Sequence, residues 1–154
     1  MTWLRPLTQV NLLSIWSREV EVWGYRLAAP TLDRLVNLYL HRLGLMGAGE
    51  KRFLEAHLRP GMYVADVGAN QGLYTLLIAK LVGETGRVFA FDPDPRLFDA
   101  TQRNCDASGM RNIELYNVAL GAERGSMKLY RSRFNSGDNR LARSRRPDWF
   151  QEVE

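Results

Sequence analysis

Residues 63–75 read YVADVGANQGLYT, an apolar run that ends in an acid and a glycine-broken turn. Gly68 permits a tight turn with no Cβ in the way, and Gly72 lets a following helix lie close to the strand before it. Asn70 stands between them, and asparagine tolerates positive φ better than most residues. A helix that starts here presents unpaired N–H groups towards the turn, which suits an anion or a carboxylate. Asp92, in FAFDPD, falls 20 residues after Gly72. At the tip of a second strand its carboxylate is placed to accept hydrogen bonds from both hydroxyls of a ribose. Each feature also has a plainer explanation. The glycines could serve the turn alone, Asp66 could hold loop N–H groups, and Asp92 could be a solvated acid before a helix. Taken together in register, the turn and the acid describe a site for a nucleoside-like ligand.

The elements that must position these residues follow from periodicity. Residues 7–18 carry Leu7, Val10 and Leu13 at helical spacing. Residues 19–27 alternate, which predicts a short strand with a glycine bend at Gly24. A helix starts at Pro30 and Thr31, with Leu32, Leu35, Val36, Tyr39 and Leu43 on one face, and closes at Gly44. Another covers about 48–58 and stops before Pro60-Gly61. The pattern then turns to strands at 62–67, 87–91 and 112–118, separated by helices at 71–82 and 95–108, the second capped by Asp94. This alternation predicts an α/β fold with a parallel sheet, the first strand lying between the other two. Residues 126–131 read as one more strand, and the polar stretch after them as loop.

Composition bounds the rest. The chain has 154 residues, 45% hydrophobic and 25% charged, enough for one ordinary soluble domain. Cys105 is the single cysteine, so no intrachain disulfide forms. The two histidines, His41 and His57, make a Cys/His zinc cluster a poor fit. No run of 18 apolar residues is present, and the N-terminus lacks the uninterrupted apolar stretch of a signal peptide. A cytoplasmic protein is the expectation. The charge is uneven: seven basic residues against Asp138 between Lys128 and Arg146 make that stretch +6, in a chain of +4 overall. A stretch this rich in arginine could hold nucleic-acid phosphates. It lacks interleaved aromatics, however, and a charge run is more often a solvated loop.

The turn distinguishes two classes of ribose-containing cofactor. Dinucleotide sites use G-x-G-x-x-G, which D-V-G-A-N-Q-G does not match. It resembles instead the D-x-G-x-N-x-G signature of S-adenosylmethionine-dependent methyltransferases. The longer stretch LRPGMYVADVGANQGLYTLLIAKLVGETGRVFAFDPDPRLFDATQRN, followed by GMRNIELYNVALGAERGSMKLY, resembles the FkbM-type methyltransferase family over about residues 48–133, and more loosely over 20–44. The resemblance implies a Rossmann-like methyltransferase fold, S-adenosylmethionine as cofactor, and O-methylation of a small-molecule, sugar or lipid acceptor. It implies that Gly68, Asn70 and Gly72 line the methionine part of the cofactor, with Ala69, Tyr74 and Thr75 beside them, and that Asp66 supports the loop. It implies that Asp92, with Pro93 next to it, binds the ribose, and that Asn117, Val118 and Ala119 lie near the adenine. Asp92 departs from the glutamate usual at its position, which shortens the reach but keeps the carboxylate. No catalytic residue or general base is indicated, and no metal site. The expected organisation is an N-terminal extension over 1–47 and a cofactor-binding α/β domain over 48–154. The resemblance leads one to expect further strands beyond Glu154, and therefore an apolar face or edge of the sheet left uncovered. A non-catalytic cofactor-binding fragment is the alternative.

Overall fold

A computed structural model describes residues 19–29, 31–132, 135–141 and 150–153. The helix expected over 7–18 lies outside them. The chain opens on a hairpin, β1 (Glu19–Val22) and β2 (Tyr25–Ala28), rather than on one bent strand. Trp23 (φ 54°) and Gly24 (φ 85°) both take positive φ, so two residues reverse the chain and pair Val22 with Tyr25. Helix α1 (Leu32–Arg42) packs on β1, and α2 (Ala48–His57) follows.

A three-stranded parallel sheet comes next. It holds β3 (Tyr63–Val67), β4 (Arg87–Phe91) and β5 (Ile113–Tyr116), joined by α3 (Leu73–Val82) and α4 (Pro95–Ser108). The strand order is β3-β4-β5. The first strand therefore lies at an edge, and β4 takes the middle. Both crossovers step in the same direction, and a first strand becomes central only when a further strand pairs with its other edge. No such strand occurs among the described residues.

Stepping one way also places both crossover helices on one face. Val64, Val88 and Ile113 point to that face and pack with Ile78, Ala79 and Val82 of α3. On its other side α3 offers Leu73 and Leu76 to Val20, Val22 and Leu27 of the hairpin and to Leu35 and Leu38 of α1. Seven of its ten residues are buried, which is why the helix is apolar around most of its circumference. Leu27 and Leu38 are wholly buried, and each contributes about 1.5–3 kcal/mol. The hairpin and α1 thus belong to the same core as α3 and α4.

The opposite face of the sheet carries Tyr63, Val67, Phe89, Phe91 and Tyr116. Tyr63 is 71% and Val67 63% exposed, and Phe91 stacks on Tyr116 at 5.0 Å. Among the described residues no helix covers this face. After β5 comes β6 (Leu129–Ser132), on the strand expected over 126–131, and β7 (Phe150–Val153) pairs antiparallel with it where loop was expected. A 3-10 turn at Ser136–Asp138 and a bridge between Tyr130 and Arg140 lie between them.

Candidate functional site

The glycine turn sits at the C-terminal ends of β3 and β4. Gly68 (φ 84°), Asn70 (φ 61°) and Gly72 (φ 84°) all take positive φ, the conformation their residue types suggested. The N–H groups of Gly68 and Ala69 donate to the Phe91 carbonyl at 2.8 and 3.0 Å, fastening the turn to β4. A Cβ on Gly68 would meet nothing within 4 Å, so the backbone there borders open space. A Cβ on Gly72 would meet Thr101 Cγ2 at 3.1 Å, so Gly72 is where α4 comes close. Thr101 Oγ1 donates to the Asn70 carbonyl, and Asn104 Nδ2 donates to the Gln71 carbonyl at 2.8 Å. Asn104 Oδ1 also accepts from the Ala28 N–H at 2.8 Å, tying the turn to the hairpin.

Asp92 is 7% exposed. Its Oδ2 accepts from the Asn70 N–H at 2.8 Å and its Oδ1 from the Asp94 N–H at 2.9 Å. Burial pushes its carboxyl above the usual carboxylate range, against the opposing pull of these two N–H groups. Asp66 is likewise raised by burial, with the Thr75 hydroxyl, 2.6 Å away, acting the other way. Asp94 behaves oppositely. Burial alone would raise it, but hydrogen bonds from Arg131 and Arg96 outweigh that and hold its carboxyl below the usual range.

These residues surround a cleft of about 250 Å³. Of the twelve predicted positions, Gly68, Asn70, Asp92, Pro93, Val118 and Ala119 line it. Ala69, Gly72 and Thr75 are buried. Asn117 Nδ2 donates to the Asp92 carbonyl at 2.8 Å. Asp66 and Tyr74 border a separate open groove of about 650 Å³ beside Phe53 and Leu54. The Tyr74 ring meets Trp23 and His41 edge-on, with centroids 5.5 and 5.9 Å away. His41 is buried in this cluster. Burial pushes the Cys105 thiol up to about 12, which removes it as a nucleophile.

The outer wall of the cleft was not legible in the sequence. It consists of Leu129, Gly137, Asn139, Arg140 and Leu141, from the arginine-rich stretch. Two arginines of that stretch form ion pairs within the chain: Arg131 with buried Asp94, and Arg140, at the surface, with Asp138. The partner of Arg131 lies 37 residues away, so local spacing carries no signal for this pair. Among the described residues no group of His, Cys, Asp and Glu side chains could hold a metal, and no helix is long and apolar enough to cross a membrane.

The sequence has relatives among characterised proteins. It is 40% identical over 57 residues to protein-L-isoaspartate O-methyltransferase 1 of Arabidopsis thaliana, covering 37% of this chain and 25% of that protein. It is 30% identical over 82 residues to protein-L-isoaspartate O-methyltransferase of Methanococcus maripaludis, covering 53% of this chain and 34% of that protein. The chain thus spans about a third or less of the length of these relatives. A solved S-adenosylmethionine-dependent methyltransferase from Aquifex aeolicus is 29% identical, with a TM-score of 0.42, covering 51% of this chain and 40% of that one. The model of one methyltransferase family matches residues 44–125, just over half of the sequence, and the chain belongs to that family, protein-L-isoaspartate(D-aspartate) O-methyltransferase (PCMT).

Proposed function

We propose that the cleft binds S-adenosylmethionine and that the chain is the cofactor-binding part of an O-methyltransferase. The observation that carries this reading is the pairing of an orphaned acceptor with a buried acid. Asn70 lines the cleft, and among the described residues its buried Oδ1 has no hydrogen-bond partner. Asp92 lies across from it with a carboxylate that two N–H groups hold in place. A buried acceptor left without a donor costs about 1–3 kcal/mol, and a ligand hydroxyl or ammonium would relieve that cost. The open space over Gly68 lets a ligand approach the backbone. These residues fit the cofactor's amino-acid and ribose parts.

Bound there, the cofactor supplies a methyl group already activated on a sulfonium. The protein's part is to bind, orient and exclude water. Asp92 accepts from the ribose hydroxyls, Asn70 and the Gly68 backbone hold the amino-acid end, and Val118 and Ala119 give the base an apolar seat. Alignment of the acceptor oxygen then provides most of the remaining rate enhancement. The family and its relatives favour a carboxylate acceptor of the isoaspartyl type. The resemblance of the longer stretch over about residues 48–133 favours a second reading, the FkbM type with a hydroxyl of a small molecule, sugar or lipid. A cytoplasmic setting belongs to the same proposal.

Calorimetry with S-adenosylhomocysteine tests the cofactor reading. Saturable one-to-one binding, competed by S-adenosylmethionine and not by a dinucleotide, is the expected result. No binding at millimolar ligand would refute it. Methyl transfer to an isoaspartyl peptide, beside a panel of hydroxyl acceptors, separates the two acceptor classes.

A further inference from the structure

The turn Asp92-Pro93-Asp94-Pro95 holds two buried carboxylates with different surroundings. Asp92 borders the cleft. Asp94 is 1% exposed and lies against the arginine-rich stretch. The proline after Asp94 disfavours helical backbone there, and Asp94 is extended at φ −81° and ψ 112°. Its Oδ1 accepts from the Arg96 N–H at 3.0 Å, capping α4. Arg131, from β6, forks onto both oxygens, Nη2 to Oδ1 at 2.7 Å and Nε to Oδ2 at 2.9 Å. Asn139 Nδ2 donates to Oδ2 at 3.0 Å, and the Arg96 guanidinium, from α4, adds Nη2 to the same oxygen at 3.2 Å. Asn139 Oδ1 in turn accepts from the Ser132 N–H at 3.1 Å, so this side chain joins the turn to β6. Tyr130 and Arg140 exchange backbone hydrogen bonds of 2.9 and 3.0 Å across the same segment.

The hydrogen bonds run on without a break. Arg131 holds the Asp94 side chain, the Asp94 N–H holds Asp92, and Asp92 holds the Asn70 N–H of the glycine turn. Bidentate charge-assisted bonds of this kind fix geometry as well as adding energy.

We propose that Arg131 is a positioning residue for the cleft. Through the buried Asp94 carboxylate it holds Leu129 and residues 137–141 as the cleft's outer wall and keeps the Asp94 N–H on the acid that meets the ligand. The proposal rests on the cofactor reading above. A lysine would keep the charge but lose the planar fork, so it would restore the contact only in part.

The test uses the whole 154-residue chain and S-adenosylhomocysteine as the probe. Affinity is measured by calorimetry between pH 4 and 8 for wild type, R131K, R131Q and N139A, with amide hydrogen exchange over 129–141. R131Q is expected to weaken binding about tenfold or more, R131K to recover part of that loss, and N139A to fall between R131K and wild type. The amides of 135–141 should lose protection in R131Q even without ligand. Its affinity should also fall at a higher pH than that of wild type, because Asp94, left with Arg96 and Asn139, is held less far below its ordinary value. A merely structural arginine would produce neither the graded recovery nor the displaced pH profile. Wild-type binding that all three variants reproduce overturns the positioning role and leaves the cofactor reading intact. A wild type that binds no ligand removes the cofactor reading and this proposal with it. If R131Q does not fold, R131K and N139A decide, and equality of both with wild type overturns the proposal.

Discussion

Asp92 carries two tasks at the residue scale: it accepts two backbone N–H groups and borders the cleft. Asp92→Ala is expected to weaken S-adenosylhomocysteine binding by about 1.5–3 kcal/mol, a ten- to hundred-fold loss that calorimetry would read. Equal affinities would reduce the carboxylate to a holder of the loop. Its pH dependence has a definite sign. Burial holds the folded carboxyl above its ordinary value, and the proposed contact with ribose hydroxyls uses the ionised form. Affinity should therefore fall on acidification earlier than for an ordinary carboxylate. The glycines separate by surroundings although both sit at φ 84°. Gly72→Ala adds a tight 3.1 Å contact with Thr101 Cγ2 to the conformational cost of about 1–2 kcal/mol. Gly68→Ala carries the conformational cost and directs its methyl into open space. Urea unfolding should show the larger loss for Gly72→Ala and calorimetry the larger loss of affinity, relative to stability, for Gly68→Ala. The reverse pattern would mean that Gly68 does not border a ligand.

At the scale of elements, α4 and β6 meet at one carboxylate. Asp94 caps the helix, as its place before Pro95 suggested, and also receives Arg131 and Asn139. Breaking a buried pair leaves a charge without its counterpart, so Asp94→Ala should cost about 3 kcal/mol in urea unfolding. The linkage sign follows from the lowered carboxyl. Its contribution is fully present above the unfolded value near 3.8 and is lost as pH falls through the folded one. Wild type should thus lose stability below about pH 4 more steeply than Asp94→Ala. Parallel acid profiles for the two proteins would show that the pair adds nothing.

At the scale of the whole molecule, one face of the sheet is covered by helices and the other is an aromatic surface. Parallel sheets are normally covered on both faces, and the outer edge of β3, with which no strand pairs among the described residues, offers backbone groups to another chain. The isolated chain should self-associate with rising concentration in sedimentation velocity, and Tyr63→Lys with Tyr116→Lys should shift it towards monomer. A monomer at all concentrations would mean that this face is tolerated in water. Local chemistry was enough to reveal the βα alternation, the positive-φ turn at Gly68–Gly72, the cap at Asp94 and the acid at Asp92. Each depends on residues within a few positions of one another, where backbone sterics and periodicity act. The bend read into residues 19–27 became a hairpin because Trp23 joined Gly24 at positive φ, which a tryptophan's own preferences do not announce. Strand order, the separation of Tyr74 and Asp66 from the cleft, and the docking of Arg131 on Asp94 were decided by tertiary structure alone. Those features depend on which surfaces are buried together, and a fork closed across 37 residues leaves no trace in local spacing.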